Sequence, residues 1–114
     1  MNGYPLCDRT VTVYRCDGKQ VQHQVVEGCW YEYSDHLLPD GLGNRLERKF
    51  LLILPGAPQR VFPGDRIYPG VGPEITPAQW SSFLPVNVPG LMQAEYAKPW
   101  YVDGKLVHTE AGRK

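Results

Sequence analysis

Two Asp-Gly pairs, Asp17-Gly18 and Asp103-Gly104, each stand between short stretches rich in apolar residues. Asp-Gly accepts the positive φ angles of a type I′ turn, whose twist matches that of paired antiparallel strands, so each pair predicts a tight hairpin. Around the first, Val11 and Val13 alternate with Thr10, Thr12 and Tyr14, and Val21, His23 and Val25 resume the period of two beyond it. Arg9 to Val26 therefore reads as one β-hairpin. Around the second, Pro99-Trp100-Tyr101-Val102 leads into the turn and Leu106-Val107-His108 leads out. A chain punctuated this way belongs to the antiparallel β class.

The segments between the two hairpins extend the pattern. Gly28 interrupts the second strand before Cys29-Trp30-Tyr31-Glu32-Tyr33, and a lone glycine in a strand pattern marks a bulge or bend that lets one long strand serve two faces of a barrel. Ser34 to Arg48 contains Pro39, Asp40, Gly41, Gly43 and Asn44 without a sustained period, and is expected to be a long exposed loop. Phe50-Leu51-Leu52-Ile53-Leu54 is an uninterrupted apolar run, short enough for a central strand covered on both faces. Pro55, Pro58 and Pro63 break the next stretch before a short strand at Arg66-Ile67-Tyr68 and a turn at Pro69-Gly70. One helix start stands out: Thr76 as N-cap, Pro77 in the first helical position and Gln79 three residues after the cap, with Trp80, Phe83 and Leu84 set to pack on one face.

The chain holds 11 Pro and 12 Gly among 114 residues, with five or more short strands separated by turn signals. The expected fold is all-β, a small antiparallel β-barrel or sandwich with one short helix and long loops, forming a single domain over 1–114. Phe50, Leu52, Ile53, Val11, Val13 and Val25 are expected in its core.

Lys plus Arg and Asp plus Glu are equal at 12 each, giving a formal net charge of zero. Specific or nonspecific nucleic-acid binding normally needs a clustered excess of cations, and here Glu47 interrupts Arg45, Arg48 and Lys49. No stretch approaches the ~20 apolar residues of a membrane span, and Met1 to Arg15 lacks the apolar run of a signal peptide, so synthesis in the cytoplasm is expected. Cys7, Cys16 and Cys29 are odd in number and not spaced as CxxC, which indicates neither a disulfide framework nor a zinc knuckle.

No enzyme is expected. Cys29, His36 and Asp35 are residue types a nucleophilic site would use, but nothing in their spacing makes them converge. His23, on an alternating strand, His36, in a polar segment, and His108 read as structural or exposed imidazoles rather than metal ligands. Gly41-Leu42-Gly43 lacks the third glycine and the flanking elements of a phosphate-binding loop, so no cofactor is implied. The long segments Ser34 to Arg48 and Gln59 to Pro73 point to a partner, because loops of that length in a small domain are usually functional. Arg45, Arg48, Arg60 and Arg66 are the candidate partner contacts.

Thr10-Val11-Thr12-Val13-Tyr14, then Val25-Val26-Glu27-Gly28-Cys29-Trp30-Tyr31, then Ile53-Leu54-Pro55 and Gly64-Asp65-Arg66-Ile67 follow one another along the chain. In this order, and with the ending Pro99-Trp100-Tyr101-Val102 and His108-Thr109-Glu110-Ala111-Gly112, the chain resembles the small minor capsid or head-closure (head-tail connector) proteins of tailed bacteriophages and prophages of Gram-positive bacteria. Ser34 to Arg48 and Pro69 to Pro77 do not match that pattern. The resemblance implies a compact β-barrel repeated as a homo-oligomeric ring beneath the portal, a virion component whose partners are other neck proteins, the portal adaptor and tail proteins. It brings no catalytic residue. Two other readings stay open: a tail-terminator or tail-side adaptor, and a soluble OB-like module that binds nucleic acid or a small ligand through Trp30, Tyr31 and Tyr33.

Overall fold

The computed structural model describes residues 7–40 and 43–113, with side chains described outside 34–48. Seven strands and one short helix follow in chain order: β1 (Arg9–Cys16), β2 (Val21–Asp40), β3 (Gly43–Pro55), β4 (Arg66–Pro69), α1 (Pro77–Trp80), β5 (Met92–Gln93), β6 (Tyr96–Val102) and β7 (Lys105–Arg113). They form one antiparallel sheet in the order β5-β4-β1-β2-β3-β7-β6, curled into a half-barrel. The mainly-β class, the single short helix and the antiparallel pairing are those the turn signals predict. The outer members of this order, β5 and β6, are separated in sequence by Ala94 and Glu95 alone. Ala94 N–H donates to Asp65 O at 2.9 Å beside β4, and Glu95 N–H donates to Gly112 O at 2.8 Å on β7, so one continuous stretch holds both margins of the curl.

The bend at Gly28 makes the curl possible. Gly28 has φ +73, a region that L side chains rarely adopt, and the β1–β2 register shifts between Arg9↔Cys29 and Val11↔Val26. Before the bend β2 pairs with β1; from Trp30 onward it pairs with β3. The bulge also changes which side chains face inward. Val26 and Cys29, three residues apart, are both buried in the interior, whereas Val25 is 41% exposed. The expectation of Val25 in the core is corrected to Val26: Val25 pairs with Thr12 and shares its outer face, whereas Val26 pairs with Val11 and faces inward.

The interior cluster contains Val11, Val13, Phe50, Leu52, Leu54, Val61, Ile67, Met92 and Ala111. β3 lies centrally, between β2 and β7. Only one of its faces is fully buried: Phe50, Leu52 and Leu54 point inward, while Leu51 and Ile53 are half-buried on the other side. Ile53 therefore belongs to the outer face, one step out of phase with the core.

β1 is buried on both faces. Thr12 and Tyr14, which alternate with Val11 and Val13, are completely buried beneath the segment after β4. Thr12 Oγ1 donates to Gly70 O at 2.8 Å and accepts from Gly72 N–H at 2.8 Å, and the Tyr14 hydroxyl donates to Pro73 O at 2.6 Å. A second cluster of Tyr14, Phe83 and Leu91, with Trp80, Ile75 and Val88 against it, completes this outer layer. The helix beneath it begins as its sequence dictates: Thr76 and Gln79 form a reciprocal capping box and Pro77 occupies the first turn.

The two Asp-Gly pairs make different turns. Asp103 and Gly104 have φ +51 and +77 between the paired Val102 and Lys105, the two-residue geometry expected of a type I′ turn. At the other site Asp17 N–H donates to Gln20 O at 3.1 Å, which puts Gly18 and Lys19 at the tip, and of these only Gly18 has positive φ. The Asp17 carboxylate accepts from Lys19 and Gln20 N–H at 3.0 and 2.8 Å and so serves as a bracket for the turn rather than a member of its tip.

Candidate functional site

Ser34 to Arg48, expected to be a loop, is mostly strand. Pairing between β2 and β3 runs from Trp30↔Ile53 through Ser34↔Lys49 to Asp40↔Gly43. Strand β1 borders β2 only as far as Cys29, and β7 borders β3 only over Phe50–Pro55. The seven pairs from Ser34↔Lys49 to Asp40↔Gly43 therefore form a two-stranded ribbon without further strand neighbours among the described residues. At about 3.4 Å per residue it reaches roughly 20 Å beyond the sheet. The turn-forming residues that suggested a loop cluster near its end, and the remaining positions pair because each strand offers the other a complete set of backbone donors and acceptors.

The base of the ribbon is fixed by aromatic side chains. The Tyr33 hydroxyl donates to Gly90 O at 2.9 Å, and the Tyr31 and Tyr33 rings meet edge-on at 5.5 Å. The Arg9 guanidinium lies over the Trp30 ring at 4.7 Å and over Tyr31 at 4.8 Å. These faces are engaged within the chain by a cation, which weighs against a base-stacking platform built on Trp30, Tyr31 and Tyr33. A second exposed apolar stretch, Trp100, Tyr101 and Val102, lies on β6, which pairs only with β7 among the described residues over this span. Lys98 Nζ sits 4.7 Å over the Trp100 ring, and the His108 ring stacks against Trp100 at 5.9 Å.

The four candidate contact arginines fall in two places. Arg45 and Arg48 lie on the ribbon strand of β3, opposite Leu38 and Asp35, and their side chains are outside the described residues. Arg60 and Arg66 lie in the body. Arg66 is 9% exposed, stacks 3.8 Å over the Trp80 ring, and donates through Nη1 to Trp80 O at 2.6 Å and Phe83 O at 2.7 Å. Burial pushes its pKa down from the ordinary guanidinium value. It fastens the helical segment to β4. Arg60 donates through Nη2 to Pro55 O at 2.7 Å.

Sequence reasoning missed the ion pair of Arg15 with Asp65. Arg15 Nε and Nη2 donate to the two carboxylate oxygens of buried Asp65 at 2.9 and 2.6 Å, and Phe62 N–H donates to Asp65 Oδ2 at 2.9 Å. Arg15 and Asp65 are fifty positions apart, and only the β1–β4 pairing Tyr14↔Arg66 brings them together.

The nucleophile candidates do not converge. Cys29 is fully buried, donates its thiol to Arg9 O at 3.1 Å, and burial raises its pKa to about 11. Asp35 and His36 lie farther along the same strand, with side chains outside the described residues; at about 3.3 Å per residue the backbone of His36 is on the order of 20 Å from Cys29. His23 stacks against Tyr14 at 5.8 Å. Among the described residues no group of three or more His, Cys, Asp or Glu could hold a metal ion, and no helix is long and apolar enough to cross a membrane. No protein-family model matches the chain, and neither a curated protein nor a solved structure matches it.

Proposed function

We propose that this chain is a structural subunit of the head–tail junction of a tailed bacteriophage, a minor capsid or head-closure component that acts by protein–protein assembly rather than by catalysis. The observation that supports assembly is the β2–β3 ribbon. A two-stranded hairpin is marginally stable alone in water, and both of its edges present unpaired backbone donors and acceptors. A ribbon extended by seven pairs from a packed body gains from a neighbour that adds a strand or covers its faces. The exposed Trp100–Val102 stretch offers a further contact to the same neighbours.

The station in the particle rests on the sequence resemblance. In this reading the protein is made in the bacterial cytoplasm and resides in the virion, where copies form a ring and meet the portal adaptor and tail proteins. Ring closure makes several modest contacts mutually dependent, so no single surface has to be large.

Mass spectrometry of separated heads and tails from purified particles tests the reading. Recovery with the heads at the junction supports it, recovery with tails alone moves the protein to a tail-terminator or tail-side adaptor, and absence from intact particles overturns it. Replacing 36–47 with a short Asn-Gly turn tests the ribbon: the body is expected to melt as before while incorporation into particles is lost.

A further inference from the structure

Arg60 Nε and Arg66 Nε are the buried side-chain polar atoms that lack a hydrogen-bond partner among the described residues. Leaving such a donor unpaired is costly, the more so in a charged group, so two in one small domain call for an explanation. Each belongs to a residue that lines an open cavity, and the two cavities share Arg15. One, of about 330 Å³, is bordered by Arg15 and Arg60; the other, of about 560 Å³, is bordered by Arg15, Phe62, Asp65, Arg66 and Trp80.

The charge count at this place is unequal. Among the described residues Asp65 is the one carboxylate bordering either cavity, and its two oxygens are already taken by Arg15. Arg60 and Arg66 use part of their guanidinium groups on main-chain carbonyls, which carry no full charge. Two cations therefore remain without an acid among the described residues, in a chain whose overall charge is zero. Phe62, which borders the larger cavity, is 40% exposed, with the Arg15 guanidinium 4.5 Å over its ring.

We infer that the paired cavities around Arg15 form a docking cleft for an acidic segment of a partner protein, whose carboxylates enter beside Arg60 and Arg66 while its apolar atoms rest on Phe62. Guanidinium groups partly fixed by main-chain acceptors are oriented in advance for carboxylates and lose little freedom on binding. A polypeptide suits the site better than a nucleic acid, because the cations are recessed in two pockets beside an aromatic rim and do not form a strip that follows a phosphate backbone. None of the described residues lining the cleft belongs to the ribbon, so failure at one leaves the other standing.

The test is a titration of the isotopically labelled full chain with the capped peptide acetyl-Glu-Gly-Glu-amide, read at the arginine Nε–Hε resonances. Saturable shifts at Arg60 and Arg66, absent with acetyl-Gln-Gly-Gln-amide and weakened at least fivefold in Arg60→Gln, are expected. Arg60→Gln is the informative variant because Arg66→Gln endangers the fold, and an unchanged melting temperature shows that the variant has kept its body. Equal shifts with the neutral peptide, no saturable shift at millimolar peptide, or unchanged affinity in folded Arg60→Gln would overturn the inference. Inorganic phosphate binding tenfold more tightly than the acidic peptide would also overturn it, since the pockets would then be a phosphate site.

Discussion

The two faces of β1 are held by different physics. Inward, Val11 and Val13 join a cluster of aliphatic and aromatic side chains supplied by strands from across the curl, a nondirectional contact that depends on volume and burial. Outward, Thr12 and Tyr14 are just as buried, but their place depends on three hydrogen bonds to the backbone at Gly70, Gly72 and Pro73, with Phe83 edge-on to Tyr14 at 4.7 Å. The first face tolerates changes that conserve volume, whereas the second is sensitive to the loss of one oxygen atom. An apolar sheet face can be covered by many sequences; a Pro-rich segment can be laid over a sheet only if its own carbonyl and amide groups find partners there.

Leu52→Ala probes the inner face most severely. It deletes a fully buried side chain and is expected to lower stability by about 2–5 kcal/mol in chemical denaturation. A loss below ~1 kcal/mol would mean that the interior can collapse around the gap and is not the rigid half of the comparison.

Alkaline titration probes the outer face next. Burial raises the Tyr14 hydroxyl to about 12, above its ordinary 10, so the folded state holds this proton where the unfolded chain has released it. The stabilisation is fully present below pH 10 and is lost as pH rises through 12, in all about 2–3 kcal/mol. Denaturation midpoints followed across this window should fall, and Tyr14→Phe should flatten the fall; an identical profile in the variant would assign the loss to other groups.

Thr12→Val keeps the shape but removes the oxygen that joins Gly70 O to Gly72 N–H, at an expected cost of about 1–3 kcal/mol. If the two faces are as distinct as their chemistry implies, this change leaves the amide exchange of Leu52 and Leu54 nearly untouched while speeding that of Gly72. The smallest effect is expected from Ile53→Ala. Because Ile53 is half-buried on the outer side of β3, its truncation should cost about half as much as Leu52→Ala, measured under the same conditions. Equal costs would erase the distinction between the faces of that strand.

The inner face was the more legible from sequence. Alternation around the Asp-Gly turns, the apolar run of β3 and the capping box at Thr76 are local signals, and each corresponds to a strand or helix at that place. Val25 and Ile53 were misplaced by a single residue of phase, since periodicity locates a strand but does not say which alternate set of its residues turns inward. The ribbon was hidden by Pro39, Asp40, Gly41 and Gly43, turn formers concentrated near the end of a pairing that is otherwise regular. The arginine cleft had no local signal, because Arg15, Arg60 and Arg66 meet only when β4 docks against β1.

The crossing at Ala94 and Glu95 bears on how the molecule comes apart. An open sheet frays from its margins inward, each outer strand peeling away without disturbing the middle. Here one short tether fastens both margins, with successive amides donating to opposite sides, so neither can peel without loosening the other. The curl should therefore open as one cooperative unit, with the Ala94 and Glu95 amides among the slowest to exchange with solvent, like a hoop whose staves are held by a single clasp.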